Sequence, residues 1–286
     1  MESVTTDPLR CILLATDLSA RCDRALDRAV QLAQEHGAKL VAVCVIENSL
    51  GDVLTARRSQ VVDRKAAEHR LRATLGEVDL PVELVLEPGH AVEVIRKTAA
   101  AHLCDMIVTG VSREETLGRL LLGTTVEKLA REVSLPILVV RERPHHPYRN
   151  MLVAVDFSEG SRHALHAALS MFPDARPVLY HAFVTHQAHA DAAAVQLARQ
   201  AAEKEAAAFA MQGAIANRPD IEWKIEHGLA EEIVPDHVAR HPCELMVVGT
   251  HGRTGILRTA IGSVAEKLIQ HTPCDVLIVR QPTPSA

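Results

Sequence analysis

Residues 245–252 read LMVVGTHG, an apolar run that leads into two glycines spaced three residues apart. A related stretch, MIVTGVSR, stands 139 residues earlier at 106–113. An apolar run without polar alternation is typical of a strand that is buried on both faces of a parallel sheet. Helical patterns follow both stretches, at 124–132 and 264–271. Each stretch therefore predicts a strand, a loop and a helix in succession.

The same offset of 139 residues holds at widely separated positions, which indicates a duplicated domain. The matching positions are Asp17-Leu18-Ser19 with Asp156-Phe157-Ser158, Gly89 with Gly228, Cys104 with Cys243, Gly110 with Gly249, Gly123-Thr124 with Gly262-Ser263, Glu127-Lys128-Leu129 with Glu266-Lys267-Leu268, and Arg141 with Arg280. Near the second strand the offset drifts by two residues, so that Cys44-Val45-Ile46 aligns with His181-Ala182-Phe183. The polar segment 142–149, rich in proline and histidine, marks the junction. We expect one domain over residues 1–144 and a second over 145–286.

Apolar runs alternate with helical patterns in both copies, which predicts βαβ units with right-handed crossovers. The predicted strands are 11–16, 40–46, 82–87, 106–110 and 137–140, then 151–155, 178–183, 222–226, 245–249 and 276–279. The predicted helices of the first copy are 19–36, 52–77, 91–102 and 124–132, and Ser19 and Ser158 are expected to be helix N-caps. The sequence thus predicts an α/β fold with five parallel strands per domain and helices on both faces. Ligands of such sheets bind at the carboxyl ends of the strands.

Composition excludes several classes of protein. Hydrophobic residues make up 48% of the chain, charged residues 23%, and the net charge is −5, which suits a globular protein and argues against a nucleic-acid binder. Residues 1–10 lack an apolar signal segment and no run of 18 apolar residues exists, so we expect neither a signal peptide nor a membrane span. The six cysteines form no C-x-x-C pair, and we expect them to be reduced and buried in a cytoplasmic protein.

The loop after the fourth strand of the second copy favours an anionic ligand. Gly249, Gly252 and Gly255 allow the backbone to approach a ligand closely. The loop runs through Gly262-Ser263 into a helix start, where unpaired N–H groups favour a phosphate. Arg253 and Arg258 could add positive charge. The related segment 118–125 of the first copy lacks the lysine of a P-loop, so this is a different kind of phosphate site.

The spacing Gly249-x-x-Gly252, nine residues, Gly262-Ser263 resembles the G-x2-G-x9-G-[ST] signature of ATP-binding universal stress proteins. The strand endings Ala15-Thr16-Asp17 and Val155-Asp156 are similar to that family as well. The resemblance implies an open five-stranded parallel sheet of order 3-2-1-4-5 in each domain. It also implies a stress-response regulator that binds an adenine nucleotide (ATP, or else AMP or ADP) with which Mg could be bound. In this family the last strands mediate dimers, so the resemblance implies pairing of the two copies within the chain and a homodimer of two chains.

The resemblance also assigns roles to individual residues of the second copy. Val155 and Asp156 would meet the adenine and ribose, and Ala182 would line the adenine pocket. Gly249 and Gly252 would face the ribose and phosphates, with Arg253 beside them. The backbone N–H groups of Gly262, Ser263 and Val264, with the Ser263 hydroxyl, would hold the phosphates.

The first copy departs from the signature because Arg113 stands where the family has the second glycine. The guanidinium either obstructs the phosphates or replaces the lost backbone contact. The candidate residues of this first site are Thr16, Asp17, Val45, Gly110, Gly123 and Thr124. We expect the second site to be occupied more readily than the first.

Other functions stay open at this point. His163 and His166 could share a helix face and contribute to a zinc site. Further candidates are His181, His186, His189 and His145-His146. No H-E-x-x-H or C-x-x-C framework appears, however, and solvated or capping histidines are the simpler interpretation. The sequence identifies no catalytic base, and we expect no metal. The alternatives to a nucleotide-binding regulator are a weak ATPase, a hydrolase with a histidine-bound metal, and an interaction scaffold without nucleotide.

Overall fold

The computed structural model describes residues 9–46, 64–75, 80–111, 115–116, 119–120, 123–185, 191–212, 215, 218, 221–250, 252 and 261–281. The elements of the first half are β1 (Cys11–Ala15), α1 (Asp23–His36), β2 (Lys39–Ile46), α2 (Arg64–Leu75), β3 (Val82–Pro88), α3 (Ala91–Ala101), β4 (Met106–Gly110), β5 (Glu115–Thr116), β6 (Arg119–Leu120), α4 (Thr124–Glu132) and β7 (Ile137–Val140). The second half contains β8 (Asn150–Ala154), α5 (Glu159–Met171), β9 (Arg176–Phe183), α6 (Ala192–Ala210), β10 (Glu222–His227), α7 (Ala230–Arg240), β11 (Leu245–Gly249), α8 (Ser263–His271) and β12 (Asp275–Val279).

The ten predicted strands lie in one continuous sheet of order β10-β9-β8-β11-β12-β7-β4-β1-β2-β3. In the described part of this ten-stranded sheet, neighbouring strands run parallel within each half, and the one antiparallel pair is β7 with β12. The α/β fold with a mostly parallel sheet is therefore confirmed. β2 and β9 begin at residues 39 and 176, an offset of 137, so the drift of two residues before the second strand is also present in the structure.

The two halves meet through equivalent residues. Leu138 of β7 pairs with Leu277 of β12, and these two positions are separated by the repeat offset of 139. Side chains that flank the two strands also reach from each half to the other. The Arg141 guanidinium donates to the carbonyl of Ile269 at the end of α8, and the Arg280 guanidinium donates to the carbonyl of Arg131 at the end of α4. The joint therefore has an approximate twofold symmetry.

Side chains that alternate along the strands form one core on each face of the sheet. Ile12 and Leu14 pack on one face with Leu277 and Val279, whereas Leu13 lies on the other face with residues such as Val276. Both cores contain residues of both halves. The joint between β7 and β12 is therefore continuous with the hydrophobic core.

A buried carboxylate fixes the junction between the halves. Asp275 is fully buried, and its Oδ1 accepts from the backbone N–H groups of Arg141 at 2.7 Å and Glu142 at 3.0 Å. Its Oδ2 accepts from the Tyr148 hydroxyl at 2.5 Å and lies 3.5 Å from Nε of Arg28 on α1. We call this group of residues the Asp275 clasp. It ties β12, the junction and the first helix together.

Several local expectations differ from the structure. Ser158 accepts a hydrogen bond from the N–H of Ser161, 3.1 Å away, as an N-cap should, but Ser19 makes no side-chain cap and a 3-10 turn, Ala20–Cys22, precedes α1. The prediction that all cysteines are buried is wrong for Cys22 and Cys243, which are half-buried, although all six are free thiols. Of the helix predicted over 52–77, residues 52–63 and 76–77 lie outside the described residues. The hairpin of β5 and β6 was not predicted. Across the described ranges, no helix combines the length and the apolar character that crossing a membrane requires.

Candidate functional site

A cleft of about 420 Å³ opens in the second half, where β8, β9 and β11 end and α8 begins. The sequence-predicted residues that line it are Val155, Asp156, Ala182, Gly249, Gly252, Gly262, Ser263 and Val264. Arg253 lies outside the described residues. Side chains that the sequence reasoning missed complete the lining, among them Ser161, Tyr180, His181, Leu229, Glu231, Val234 and Thr250. Among the sequence-predicted residues, the structure therefore brings together positions that are up to 109 apart in the chain, Val155 and Val264.

One wall of the cleft is aromatic. Nδ1 of His181 lies 2.7 Å from the carbonyl oxygen of Val155, and because a carbonyl can only accept, Nδ1 carries the proton. The imidazole also packs against the Phe157 ring with 4.1 Å between ring centroids. Tyr180 is buried and donates to Glu226 at 2.5 Å, and this hydrogen bond lowers the pKa of the Glu226 carboxyl. A flat, largely apolar molecule would find a rigid surface here.

The turn after β8 places the Asp156 carboxylate at the cleft. The residue that follows, Phe157, has a φ of 64°, and its counterpart in the first half, Leu18, has a φ of 56°. Such values are uncommon for residues with a side chain, and conformations of this kind persist where the surroundings impose them. Oδ1 of Asp156 accepts from the N–H and the hydroxyl of Ser158, at 3.1 and 2.6 Å. The repeated strained turn therefore holds the carboxylate in one orientation.

Gly252 and Gly249 are places where a side chain would not fit. A β-carbon on Gly252 would lie 2.5 Å from Oδ2 of Asp156, which is too close for any real contact. A β-carbon on Gly249 would lie 3.1 Å from the carbonyl oxygen of Gly160 in the first turn of α5. The missing side chains bring the loop backbone against the carboxylate and the helix start. This is a cradle that a β-carbon would fill.

The start of α8 supplies the donors for an anion. The first amides of a helix have no acceptor within the helix, and its dipole favours negative charge there. Gly262, however, donates its N–H to the carbonyl oxygen of Thr250 at 2.9 Å, so this hydrogen is already engaged. The expectation that Gly262 contributes a phosphate donor is therefore revised. The remaining donors are the amides of Ser263, Val264 and Ala265, with the Ser263 hydroxyl beside them.

The charged side chains among the described lining residues are Asp156 and Glu231. Glu231 lies at the start of α7, where its own backbone N–H and then Lys267, 3.0 Å away, lower the pKa of its carboxyl. Glu231 is therefore ionised at neutral pH. Attraction for a phosphate consequently comes from the amides of α8 within the part of the site that the structure describes.

The histidines do not gather into a metal centre in the described part of the chain, where no group of three or more His, Cys, Asp or Glu residues could hold an ion. Burial lowers the pKa of both His163 and His166 on α5. His181 belongs to the cleft wall. His186 and His189 lie outside the described residues.

The first half places its candidate residues at the corresponding positions. Thr16 and Asp17 follow β1, Val45 lies near the end of β2, and Gly110 ends β4. Gly123 precedes α4, and Thr124 is the first residue of that helix. Oδ1 of Asp17 accepts from the N–H of Ser19 at 2.9 Å, as Asp156 does from Ser158. Arg113 lies outside the described residues.

Comparison with known proteins agrees with this architecture. Universal stress protein E of Salmonella typhi is 26% identical in an alignment that covers 94% of this chain and 93% of that protein. A functionally unknown protein from Pseudomonas aeruginosa PAO1 has a similar structure, with a TM-score of 0.74 and 20% identity over 97% of this chain and 95% of that one. A universal stress protein from Archaeoglobus fulgidus DSM 4304 gives a TM-score of 0.66 with 17% identity, and the match covers 95% and 98% of the two chains. These two structures share the fold.

The model of the universal stress protein family matches the chain twice, over residues 8–141 and 147–280. The two matches coincide with the two sets of strands and helices on either side of the junction. The chain therefore belongs to the universal stress protein family and carries its domain in tandem.

Proposed function

We propose that this protein binds an adenine nucleotide, ATP or else AMP or ADP, in the cleft of the second half and acts as a stress-response regulator. The observation that carries the proposal is the contact of Gly252 with Asp156 beside the start of α8. Two glycines of the loop, a fixed carboxylate and the first amides of α8 meet in one cleft of about 420 Å³. That combination suits a ligand with a flat base, a sugar and a phosphate tail.

The three parts of such a ligand would occupy different regions of the cleft. The base would lie against Ala182 and His181, where the lining is aromatic and apolar. The Asp156 carboxylate is a hydrogen-bond acceptor suited to ribose hydroxyls. The phosphates would meet the amides of Ser263 and Val264 together with the Ser263 hydroxyl. Mg bound to the phosphates would be favoured by the nearby carboxylates of Asp156 and Glu231.

We propose that the first half, over residues 1–144, binds nucleotide less readily than the second, over 145–286. Its candidate residues have the same arrangement along the chain, but Arg113 replaces the glycine that approaches the carboxylate in the second half. We also propose that the pairing of β7 with β12 joins the two domains in solution, and that two chains form a homodimer. Six free thiols favour a cytoplasmic location.

Two measurements test nucleotide binding. Mass spectrometry of the purified, denatured protein should identify a bound adenine nucleotide, and calorimetric titration of stripped protein with ATP should give a saturable signal. Gly252→Arg should weaken ATP binding by more than about tenfold, because its side chain displaces Asp156. Met211→Arg adds the same charge at a residue that is 79% exposed and outside the cleft, and should bind as the unchanged protein does. Equal affinities of the two variants, or no heat with any adenine nucleotide, would overturn the proposal.

A further inference from the structure

Four of the six cysteines meet in two pairs at the amino-terminal ends of the strands, opposite the cleft. The Sγ atoms of Cys11 and Cys104 are 3.0 Å apart, and those of Cys243 and Cys274 are 3.9 Å apart. Cys104 and Cys243 occupy equivalent positions of the repeat, but their partners do not. Cys11 begins β1, whereas Cys274 immediately precedes β12. Each pair spans two neighbouring parallel strands, so a bridge would cross-link the sheet.

The two pairs differ in their access to solvent. Cys11 and Cys104 are each 5% exposed, so neither sulfur of this pair is open to a reagent. In the other pair Cys274 is 2% exposed, but Cys243 is only half-buried. A small oxidant therefore has better access to Cys243 than to its buried partner Cys274. This is the arrangement of an attacking thiol and a resolving thiol.

A buried cation stands next to the second pair. Arg141 is 5% exposed, and its Nη2 donates to the carbonyl of Ile269. Its Nε and Nη1 have no hydrogen-bond partner among the residues that the structure describes. The positive charge acts on Cys274 and on Asp275. The hydrogen bond with Cys243 and then burial raise the pKa of the Cys274 thiol well above its ordinary value, and the charge of Arg141 opposes that shift. The guanidinium therefore favours loss of the Cys274 proton when a disulfide forms.

The thiols respond to these surroundings in opposite ways. The hydrogen bond with Cys274 lowers the pKa of the Cys243 thiol, and this outweighs the effect of its burial. Burial raises the pKa of Cys104 well above its ordinary value, and the contact with Cys11 adds to the shift. Since the thiolate is the reactive form, the accessible sulfur is also the more reactive one.

We propose that Cys243 and Cys274 are an oxidisable dithiol that a hydroperoxide converts to a disulfide. The Cys243 thiolate attacks the outer oxygen of the hydroperoxide, the O–O bond breaks, and the departing alkoxide or hydroxide takes up a proton. Cys243 is then a sulfenic acid. The Cys274 sulfur, after losing its proton, displaces hydroxide from Cys243 and forms the S–S bond, and water leaves. In total, the two thiols lose two electrons and two protons. An organic hydroperoxide is thereby reduced to its alcohol and one water molecule, and hydrogen peroxide to two water molecules.

The bridge needs only a local movement. The two sulfurs must close from 3.9 Å to about 2.05 Å, a shift that side-chain rotation can supply. The residue after Cys274 is Asp275, the centre of the Asp275 clasp. Oxidation would therefore tether the start of β12, where the junction is held, to the start of β11. The expected readout is a higher melting temperature of the oxidised protein, reversed by a reductant.

The test uses the full chain, reduced, freed of reductant and treated with hydrogen peroxide. Intact mass should fall by about 2 Da, and peptide mapping should identify the Cys243–Cys274 bridge about tenfold earlier than any Cys11–Cys104 bridge. Cys274→Ser should accumulate a sulfenic acid on Cys243 that dimedone traps, and Cys243→Ser should abolish the bridge. Cys104→Ser is the matched control and should keep it. The proposal would be overturned if the Cys11–Cys104 bridge formed first, or if dimedone never labelled Cys243 in Cys274→Ser. Peptide mapping of the unchanged protein decides between the two pairs without any variant.

Discussion

Oδ2 of Asp156 lies 2.5 Å from the point that a β-carbon on Gly252 would occupy. Asp156 cannot turn away freely, because its other oxygen accepts two hydrogen bonds from Ser158. Even the smallest side chain at position 252 must therefore disturb the carboxylate. This relationship makes the loop after β11 sensitive to one methyl group.

Gly252→Ala should accordingly weaken ATP binding by about tenfold, or about 1.4 kcal/mol. Gly262→Ala is the informative comparison, since among the described residues a β-carbon there would meet the Thr250 carbonyl oxygen at an ordinary 3.6 Å. We expect Gly262→Ala to lower the affinity for ATP less than Gly252→Ala does. Calorimetry on both variants measures the difference, and an equal loss would show that crowding of Asp156 is not the cause.

Arg113→Gly should create a second nucleotide site. If the guanidinium obstructs the first half, its removal raises the stoichiometry from about one to about two ATP per chain, because the backbone can then approach the ligand. Titration of stripped protein reports this number directly. A stoichiometry already near two, which falls in the variant, would show instead that Arg113 holds the phosphates.

Ser158→Ala should lower the free energy of unfolding by about 1 kcal/mol, because the hydroxyl accepts from the N–H of Ser161 as the cap of α5. Ser19→Ala is the matched change in the other repeat, where the side chain makes no cap. Ser19→Ala should lower the free energy of unfolding by clearly less than Ser158→Ala does. Urea denaturation of the two variants gives the comparison, and identical losses would contradict the assignment.

Asp275→Asn should destabilise the protein by about 3–5 kcal/mol, since it removes the buried anion next to Arg28 and puts an amide NH2 group, which cannot accept, where Oδ2 accepts from the Tyr148 hydroxyl. Asp105→Asn is the control. Asp105 also accepts from two backbone N–H groups, those of Arg10 and Cys11, but it is partly exposed and should cost about 1 kcal/mol. Thermal unfolding should separate the two variants, and comparable melting temperatures would argue against the Asp275 clasp.

Acidification should destabilise the fold partly through histidine. Burial lowers the pKa of His163, His166 and His237, so these rings take up protons at a lower pH in the folded protein than in the unfolded chain, which does so near pH 6.5. The unfolded state then binds more protons, and stability falls as the pH drops from about 7.5 to 5.5. The double variant His163→Gln, His166→Gln should show a smaller fall in melting temperature over this range. An unchanged pH profile would exclude a contribution from these two rings.

The sequence predicted the strands closely because their apolar runs are continuous. Met106–Gly110 and Leu245–Gly249 have the predicted bounds, and the glycine spacing after the second of them pointed to residues that line the cleft. The signal is local in each case: a buried strand needs apolar residues, and a close approach needs glycine.

Features that depend on distant partners were missed. The orientation of His181 depends on the Val155 carbonyl of the neighbouring strand, 26 residues away. The Asp275 clasp depends on Tyr148, 127 residues away, and the engaged N–H of Gly262 depends on how the loop returns to Thr250. No spacing in the sequence carries these contacts, because they exist only once the sheet has brought the segments together.

The facing positions of Leu138 and Leu277 have an evolutionary consequence. In an assembly of two identical chains, every substitution alters both subunits at once, so the ligand sites cannot specialise separately. Here each subunit is encoded by its own stretch of one gene. Residue 113 is arginine where its counterpart, residue 252, is glycine, while the two units still join through equivalent residues of β7 and β12. A tandem chain therefore allows a residue of one unit to differ from its counterpart while both units still contribute strands to one sheet.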